Sequence, residues 1–255
     1  MRKVPPWLLP NSIVYFALHA FLFAVGLVLV LVGGVIFVAI GTSLIATGIT
    51  GWVVFVHSLL SLQTTRSLEV MREFGLDNIF DGRSVRVKPV YDERLTRLRN
   101  RLDILGFGQK ALREDYLSEF VRWKQRANIR ILLIDPEYPS EYVSYARQRD
   151  VEERDSEGTI AQQVRQFIID TEPVQKSGGK NKFEIRLYRC LPTVNIFRVD
   201  DDLFWGPYLI KEPSRNSPTF LVHKGGLLFE RLTAHFESIW NDSNFSRPVP
   251  EEWLQ

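Results

Sequence analysis

Charged residues are missing from most of the N-terminal quarter of the chain. Between Pro10 and Arg66 there is no Lys, Arg, Asp or Glu, and most residues are Leu, Val, Ile, Phe, Ala or Gly. This apolar run is longer than the roughly 20 residues that one helix needs to cross a bilayer. A signal peptide explains it less well, because the apolar region of a signal peptide has only about 7–15 residues. The sequence therefore predicts two transmembrane helices.

Cysteine is almost absent as well. Cys190 is the single cysteine, so an internal disulfide is excluded, and this usage is consistent with a reducing cytoplasm. The formal net charge is only +2. Apart from Arg2 and Lys3, all charged residues follow the apolar run, where the two signs cancel, so any basic surface must be local.

The apolar run contains one especially natural turn, Gly33-Gly34. This turn predicts a two-helix hairpin over 12–60 that follows a short N-terminus, 1–11. A turn near Gly41-Thr42-Ser43 is the alternative. With the turn at Gly33-Gly34, the hairpin leaves little chain exposed on the far side of the membrane.

The distribution of basic residues predicts the orientation of the hairpin. Arg2 and Lys3 precede the first helix, and Arg66 and Arg72 follow the second. Basic residues accumulate on the cytoplasmic side of membrane spans. We therefore expect a multi-pass protein of the cell inner membrane with both termini in the cytoplasm.

Glycines recur along the hairpin at close to a seven-residue spacing. Gly34, Gly41 and Gly48 show this spacing, and Thr42 adds a hydroxyl. Small residues on one face let membrane helices approach closely, so these residues favour packing within one hairpin. The other interpretation is that several protomers bring these faces together around a pore, because one hairpin cannot enclose a water path. The Thr42 hydroxyl would then line the path, or else bond to the carbonyl four residues earlier.

Residues 61–91 are predicted to be a stalk and linker. The segment SLQTTRSLEVMREFG extends the second span as a helix that ends near Gly75. Residues 77–91 contain turn formers and Pro89, so irregular structure is predicted there.

The pattern becomes regular from Asp92. Predicted strands cover 101–107, 128–136, 182–189, 193–199, 203–210 and 219–224, and predicted helices cover 92–100, 109–126, 139–149, 156–170 and 226–241. This order predicts a single α/β domain with a mixed sheet over 92–242, followed by a C-terminal tail, 243–255.

The order of these motifs resembles the phospholipase D-like fold in its single-module form. The segments that carry the resemblance are LDILG, NIRILLIDP, NIFRVDDDLFWGPYLI and FERLTAHFESIWND, which together span about 92–242. In catalytic members of that family, the strand matching TVNIFRVDD carries a nucleophilic histidine and, two residues later, a phosphate-binding lysine. Asn195 and Phe197 stand at these positions here. An amide is not a competent nucleophile, so the resemblance implies a domain that is not an enzyme. No metal or cofactor is expected.

A domain of this kind is still expected to recognise phosphate. Basic residues surround the strands that would carry the former active site, and aromatic residues are available for base stacking. The predicted ligand-binding residues are Arg186, Tyr188, Arg189, Asn195, Arg198, His223 and Lys224. The alternative interpretation is that most of the aromatics are core residues and most of the arginines form a solvated or lipid-facing surface.

The combination of a two-helix hairpin with an inactive phosphate-binding domain resembles the membrane effectors of bacterial anti-phage signalling, including the channel effector of Hailong-type systems. That resemblance implies a homo-oligomeric pore gated by a nucleotide or short single-stranded oligonucleotide bound to the cytoplasmic domain. The alternative function is a membrane-tethered phosphodiesterase acting on phospholipid or nucleic acid, with His223 paired to Asp201 or Asp202. A third possibility is a tethered scaffold that binds only protein.

Overall fold

The computed structural model describes residues 10–82, 87–140 and 142–254. The chain divides into two compact units, Met1–Val70 and Met71–Gln255, and each is described by itself. Arg2 and Lys3, on which the predicted orientation partly depends, lie outside the described residues.

The first unit contains a hairpin of two long apolar helices. Helix α1 covers Pro10–Val32 and helix α2 covers Val35–Phe74. Gly33 and Gly34 connect them with φ values of 79° and 94°, a conformation that favours glycine. The predicted turn at Gly33-Gly34 is therefore confirmed, and the alternative at 41–43 is wrong because these residues lie inside α2. The segments Ile13–Val32 and Val35–Ser58 are long and apolar enough to span a membrane.

The glycines of the hairpin pack α1 against α2. A Cβ atom on Gly41 would lie 2.7 Å from the carbonyl oxygen of Gly26, and one on Gly48 would lie 3.0 Å from that of His19. A side chain at either position would push the helices apart. Gly41 and Gly48 therefore lie at the contact between the two helices of one hairpin, and Gly34 belongs to the turn, while the assembly of several hairpins around a pore stays a prediction.

The hydroxyls of α2 bond to the backbone of their own helix. The Thr42 hydroxyl donates to the carbonyl of Val38 at 2.9 Å, and the Ser43 hydroxyl donates to that of Ala39 at 3.0 Å. The Thr47 hydroxyl donates to the carbonyl of Ser43 at 2.8 Å. These bonds satisfy the donors without a water path.

The second unit is built on one sheet, in which the described residues form eight strands in the order β1-β7-β6-β5-β2-β3-β4-β8. The strands are β1 Leu76–Phe80, β2 Arg101–Gly106, β3 Asn128–Ile134, β4 Phe183–Tyr188, β5 Val194–Val199, β6 Asp202–Pro207, β7 Thr219–His223 and β8 Ser246–Pro248. Strands β2, β3 and β4 run parallel, and the other neighbouring pairs are antiparallel. The predicted mixed sheet is thus confirmed.

Helices cover both faces of this sheet. They are α3 Lys88–Thr96, α4 Lys110–Tyr116, α5 Phe120–Arg126, α6 Tyr145–Glu153, α7 Thr159–Lys176 and α8 Leu227–Asn241, with 3-10 turns at Leu117–Glu119, Ser214–Asn216 and Glu251–Leu254. Helix α8 packs on one face, where Phe236 lies against Arg130 of β3. Helices α3 and α5 pack on the other face, where the ring of Tyr91 contacts Phe197 and that of Phe120 contacts Phe183.

Three sequence-based assignments are corrected. Residues 77–91 are not wholly irregular, because most of strand β1 lies there and α3 begins at Lys88. The helix predicted over 109–126 is interrupted at Leu117–Glu119 by a 3-10 turn that separates α4 from α5. The helix predicted from 139 begins only at Tyr145, after Ser144, whose hydroxyl accepts a bond from the Arg147 amide at 3.2 Å.

The start of α7 depends on a buried carboxylate. Asp150 accepts hydrogen bonds from the backbone N–H groups of Gly158 at 2.8 Å and Ile160 at 2.9 Å. These bonds satisfy donors that have no partner inside the helix. Burial raises the pKa of Asp150 in spite of these bonds.

Candidate ligand-binding site

A cavity of about 660 Å³ lies at the carboxyl end of β2. Its lining includes Phe107, Gly108 and Gln109, which directly follow β2, and Asn195 near the start of the antiparallel neighbour β5. It is on the sheet face that carries α3, α4 and α7. Open α/β sheets bind ligands outside the carboxyl ends of their strands, and cavities of this volume accommodate small molecules.

Two glycines allow amide side chains to cover the floor of the cavity. A Cβ atom on Gly106 would collide with the side-chain amide of Gln109, and one on Gly108 would lie 2.5 Å from Cβ of Gln163. Gln109 itself adopts a left-handed conformation with φ 50° before α4 begins. The turn after β2 thus leaves room for two amide groups at the cavity. One belongs to Gln109 in the turn itself, and the other to Gln163 on α7.

Asn195 is the predicted binding residue that lines this cavity. It is only 4% exposed, and its Nδ2 donates to the carbonyl of Gly206 on β6 at 2.7 Å. The bond fixes the amide orientation and directs Oδ1 away from that contact. A Cβ atom on Gly206 would lie 2.5 Å from the carbonyl oxygen of Pro218 and 3.2 Å from Nδ2 of Asn195, so a side chain there would crowd this contact.

The wall of the cavity is aromatic and rests on a buried arginine. The rings of Phe107 and Tyr208 lie 4.4 Å apart between centroids. The guanidinium of Arg149 lies 5.6 Å from the first ring and 5.3 Å from the second. Arg149 also donates to the carbonyls of Leu209 and Glu212, each at 2.9 Å. The aromatic wall therefore has a rigid support.

Tyr116 closes the α4 side of the cavity. Its hydroxyl donates to Asp92 at 2.5 Å. Burial and, to a smaller extent, this hydrogen bond raise the pKa of Tyr116 well above the usual value of a phenol. Tyr116 therefore remains a neutral donor at physiological pH, committed to α3.

The arginine predicted as a phosphate contact on β5, Arg198, lies on the opposite face of the sheet under α8. Its Nε donates to the carbonyl of Asp200 at 2.9 Å, and its guanidinium lies 3.8 Å from Asp103. Asp103 accepts a 2.7 Å bond from Arg130, which also binds Glu237 of α8 at 2.7 Å and 2.9 Å. Burial lowers the pKa of Arg198, whereas the hydrogen bond from Arg130 lowers that of Glu237.

Two further predicted residues share that face. Arg186 donates to the hydroxyl and carbonyl of Ser246 at 3.0 Å and 3.2 Å, and its guanidinium lies 5.7 Å from the ring of Trp240. Tyr188 is 1% exposed and belongs to the hydrophobic core. The expectation that Tyr188 offers a stacking surface is corrected by its burial.

Arg189 lies at the carboxyl end of β4 and is held by a buried aspartate. Its Nε donates to Asp135 at 2.8 Å, and Asp135 is 0% exposed. Arg247 reaches the same carboxylate at 2.9 Å and also binds Glu137 at 2.9 Å. This cluster ties the C-terminal segment, including β8, to the sheet.

His223 and Lys224 lie at the other end of the sheet from the cavity. Nδ1 of His223 contacts the carboxylate of Asp202, and Nε2 lies 3.3 Å from Asp77 of β1. Lys224 forms an ion pair with Asp201 at 3.0 Å. Of the seven predicted binding residues, Asn195 alone lines the cavity, and the others are distributed over both faces and both ends of the sheet.

Sequence reasoning missed most residues of the cavity. Gln109, Gln163 and Arg215 line it and were not predicted, whereas Tyr208 and Phe197 belong to the aromatic residues expected to stack on a base. The available signal was Gly106-Phe107-Gly108, a glycine pair at the end of a predicted strand. Among the described residues, no group of three or more His, Cys, Asp or Glu side chains is arranged to hold a metal ion.

Comparison with known proteins gives little guidance. No protein-family model and no curated protein matches the chain. Among solved structures, the chain is similar to TrmBL2, an archaeal chromatin protein described as showing a novel mode of DNA binding. The identity is 15% and the TM-score 0.41, over 82% of this chain and 70% of that one. A likeness of this size defines neither a fold family nor a function.

Proposed function

We propose that this chain is a membrane-anchored sensor. Its α/β domain binds a nucleotide or short oligonucleotide in the cavity beside Asn195, and the bound ligand gates a homo-oligomeric pore made from the hairpins. The resemblance to two-helix membrane effectors of bacterial anti-phage signalling supports this function. The domain acts as a receptor, because the amide of Asn195 replaces the nucleophile that a phospholipase D-like enzyme needs.

The observation that carries the proposal is the composition of the cavity. Aromatic rings and side-chain amides line it together, with Phe197 and Tyr208 among the rings and Gln109, Gln163 and Asn195 supplying the amides. Rings stack on nucleobases, and amides offer a donor and an acceptor to the polar edge of a base. The arginines that the sequence suggested for phosphate are engaged elsewhere, so the cavity supports a ligand recognised chiefly through its base.

The junction of α2 with the sheet supports control of the hairpin by ligand. Helix α2 ends at Phe74, and the carbonyl of Gly75 accepts a 2.9 Å bond from the amide of His223. A Cβ atom on Gly75 would lie 2.7 Å from Cα of Gly226, so the residue that follows α2 is packed tightly against the turn between β7 and α8. Strands β7, β6 and β5 then continue to Asn195. Ligand shifts a gate only by binding its two states unequally, and this route is where such a difference would act.

The test uses the full chain in liposomes loaded with a self-quenching dye. We expect short oligonucleotides or mononucleotides to change dye release, and Gln163→Leu to abolish the response. Gly41→Val should disrupt the hairpin and lower release, whereas Ala46→Val, at an exposed position of α2, should not. Binding without any change in release would refute the pore, and absence of nucleotide binding would refute the sensor.

The His223–Asp202 contact favours a second candidate, the membrane-tethered phosphodiesterase. A histidine oriented by a carboxylate is a common general base. However, both ring nitrogens of His223 face carboxylates, those of Asp202 and Asp77. Incubation of the purified chain with labelled phospholipid and DNA tests this candidate, since turnover lost in His223→Ala would establish an enzyme.

A further inference from the structure

Basic residues line the cavity, but most of them are already paired. Lys88 forms an ion pair with Asp115 at 2.7 Å, and Lys110 lies 3.9 Å from Glu114. Arg215 is different, because it has no hydrogen-bond or ion-pair partner for its side chain among residues 10–82, 87–140 and 142–254. The cavity thus offers one uncommitted cation.

The carboxylates of the lining show the same pattern. Glu153 binds the guanidinium of Arg149 at 2.7 Å and the hydroxyl of Ser214 at 2.8 Å. The carboxylate of Asp155 makes no hydrogen bond or ion pair with the part of the chain that the structure describes. One cation and one carboxylate therefore remain available to a ligand.

The amides deeper in the cavity are also uncommitted. The side chains of Gln109 and Gln163 make no hydrogen bond within the described ranges, and Asn195 uses only its Nδ2. Amides without partners at a cavity wall present donors and acceptors in a plane, which is the pattern of a nucleobase edge.

We infer that the cavity takes a single nucleotide, either a nucleoside monophosphate or the terminal nucleotide of an oligomer. The base contacts Gln109, Gln163 and Asn195, the one phosphate binds Arg215, and the ribose hydroxyls donate to Asp155. Further phosphates in the cavity would meet the carboxylates of the lining, which outnumber its cations. This inference rests on the proposed function and narrows it to one nucleotide unit per cavity.

The test measures binding to the full chain in detergent by isothermal titration calorimetry. The probes are the four nucleosides, their 5′-monophosphates and triphosphates, and dinucleotides. We expect a monophosphate to bind about tenfold or more tightly than its nucleoside, the usual effect of a hydrogen bond to a charged group. A triphosphate should gain no further affinity. If a dinucleotide binds as tightly as the monophosphate, the ligand is the terminal nucleotide of an oligomer. If it binds more weakly, the ligand is the free monophosphate.

Variants separate the contacts. Arg215→Ala should reduce the affinity for the monophosphate to that for the nucleoside, while Arg231→Ala, an exposed arginine on α8, should change neither. Gln163→Leu should lower the affinity for the nucleotide with the preferred base at least about tenfold. Affinity that rises with each added phosphate, or an Arg215→Ala variant that binds normally, would overturn this inference and leave the sensor intact. If no nucleoside, nucleotide or oligonucleotide binds, the proposed function itself fails.

Discussion

The two faces of the sheet use polar residues in opposite ways. Under α8, Arg130, Asp103 and Glu237 bind one another through bonds of 2.7–2.9 Å. On the other face, the side chains of Gln109 and Gln163 make no hydrogen bond with any described residue. Both faces lie on the same strands, yet the cluster under α8 uses its hydrogen-bonding capacity internally, whereas these two amides at the cavity leave theirs available.

This difference separates stability from recognition. A buried charge is tolerated only when it is paired or hydrogen-bonded, so the arginines that look like phosphate ligands in the sequence are held by carboxylates, carbonyls or hydroxyls of the protein itself. Neutral amides cost less to leave without a protein partner at a wet cavity, and they are the groups free to select a ligand. We therefore expect substitutions on the α8 face to change the free energy of unfolding, and substitutions at the cavity to change affinity.

The largest effect is expected for Arg130→Met. The variant leaves Asp103, which is 1% exposed, without its main partner. Removal of one member of a buried ion pair costs about 3–5 kcal/mol. Denaturation of the detergent-solubilised chain, followed by tryptophan fluorescence, measures this loss, with Arg231→Met as the exposed control on α8. A loss below about 1 kcal/mol would show that the network contributes little.

A smaller loss is expected for Arg198→Ala, on the same face. It removes a 2.9 Å bond to the carbonyl of Asp200 and a charge near Asp103, which should cost about 1–3 kcal/mol of unfolding free energy. Nucleotide affinity should change by less than about twofold, a difference well under 1 kcal/mol. If affinity instead falls tenfold with stability unchanged, the sequence-based role of Arg198 as a phosphate contact is correct and the division between the faces is broken.

Gly108→Ala tests the cavity face. The new Cβ atom would lie 2.5 Å from Cβ of Gln163, so the amide must move. We expect affinity to fall about tenfold, which corresponds to about 1.4 kcal/mol. Gly178→Ala is the matched control, because no heavy atom lies within 4 Å of its added Cβ. Unchanged calorimetric affinity in Gly108→Ala would place the ligand elsewhere.

The smallest effect is a pH dependence of stability. The hydrogen bond from Arg130 lowers the pKa of Glu237, so the charged carboxylate favours the folded state. This stabilisation is present above the unfolded pKa of about 4.3 and is lost as the pH falls through the lower folded value. Because Glu237 is about one-third exposed, the contribution is on the order of 1 kcal/mol or less.

Glu237→Gln provides the measurement. Unfolding free energies between pH 3 and 7 should fall less steeply on the acid side in the variant than in the parent chain. Parallel profiles would mean that protonation of Glu237 does not change the free energy of unfolding.

The order of most elements was predictable, and the exceptions have physical causes. Strands such as Asn128–Ile134 are runs of mostly buried aliphatic residues, which the hydrophobic pattern of the sequence predicts directly. Strand β1 was missed because Asp77 and Asn78 are unfavourable in strands, and only pairing with β7, Leu76 against Val222, makes it a strand. The interruption at Leu117–Glu119 was missed because the apolar spacing continues through it.

The amino-acid sequence by itself determined the hairpin of two apolar helices that are long enough to span a membrane, because the run between Pro10 and Arg66 carries no charge and contains the Gly33-Gly34 turn. It also determined the mixed α/β character of the second unit through the alternation of apolar patterns. Only the tertiary structure decided which polar groups are free. Gln109, Gln163 and Asn195 line one cavity because chain folding brings together the turn after a strand, a helix and a neighbouring strand, and no local sequence pattern predicts this arrangement.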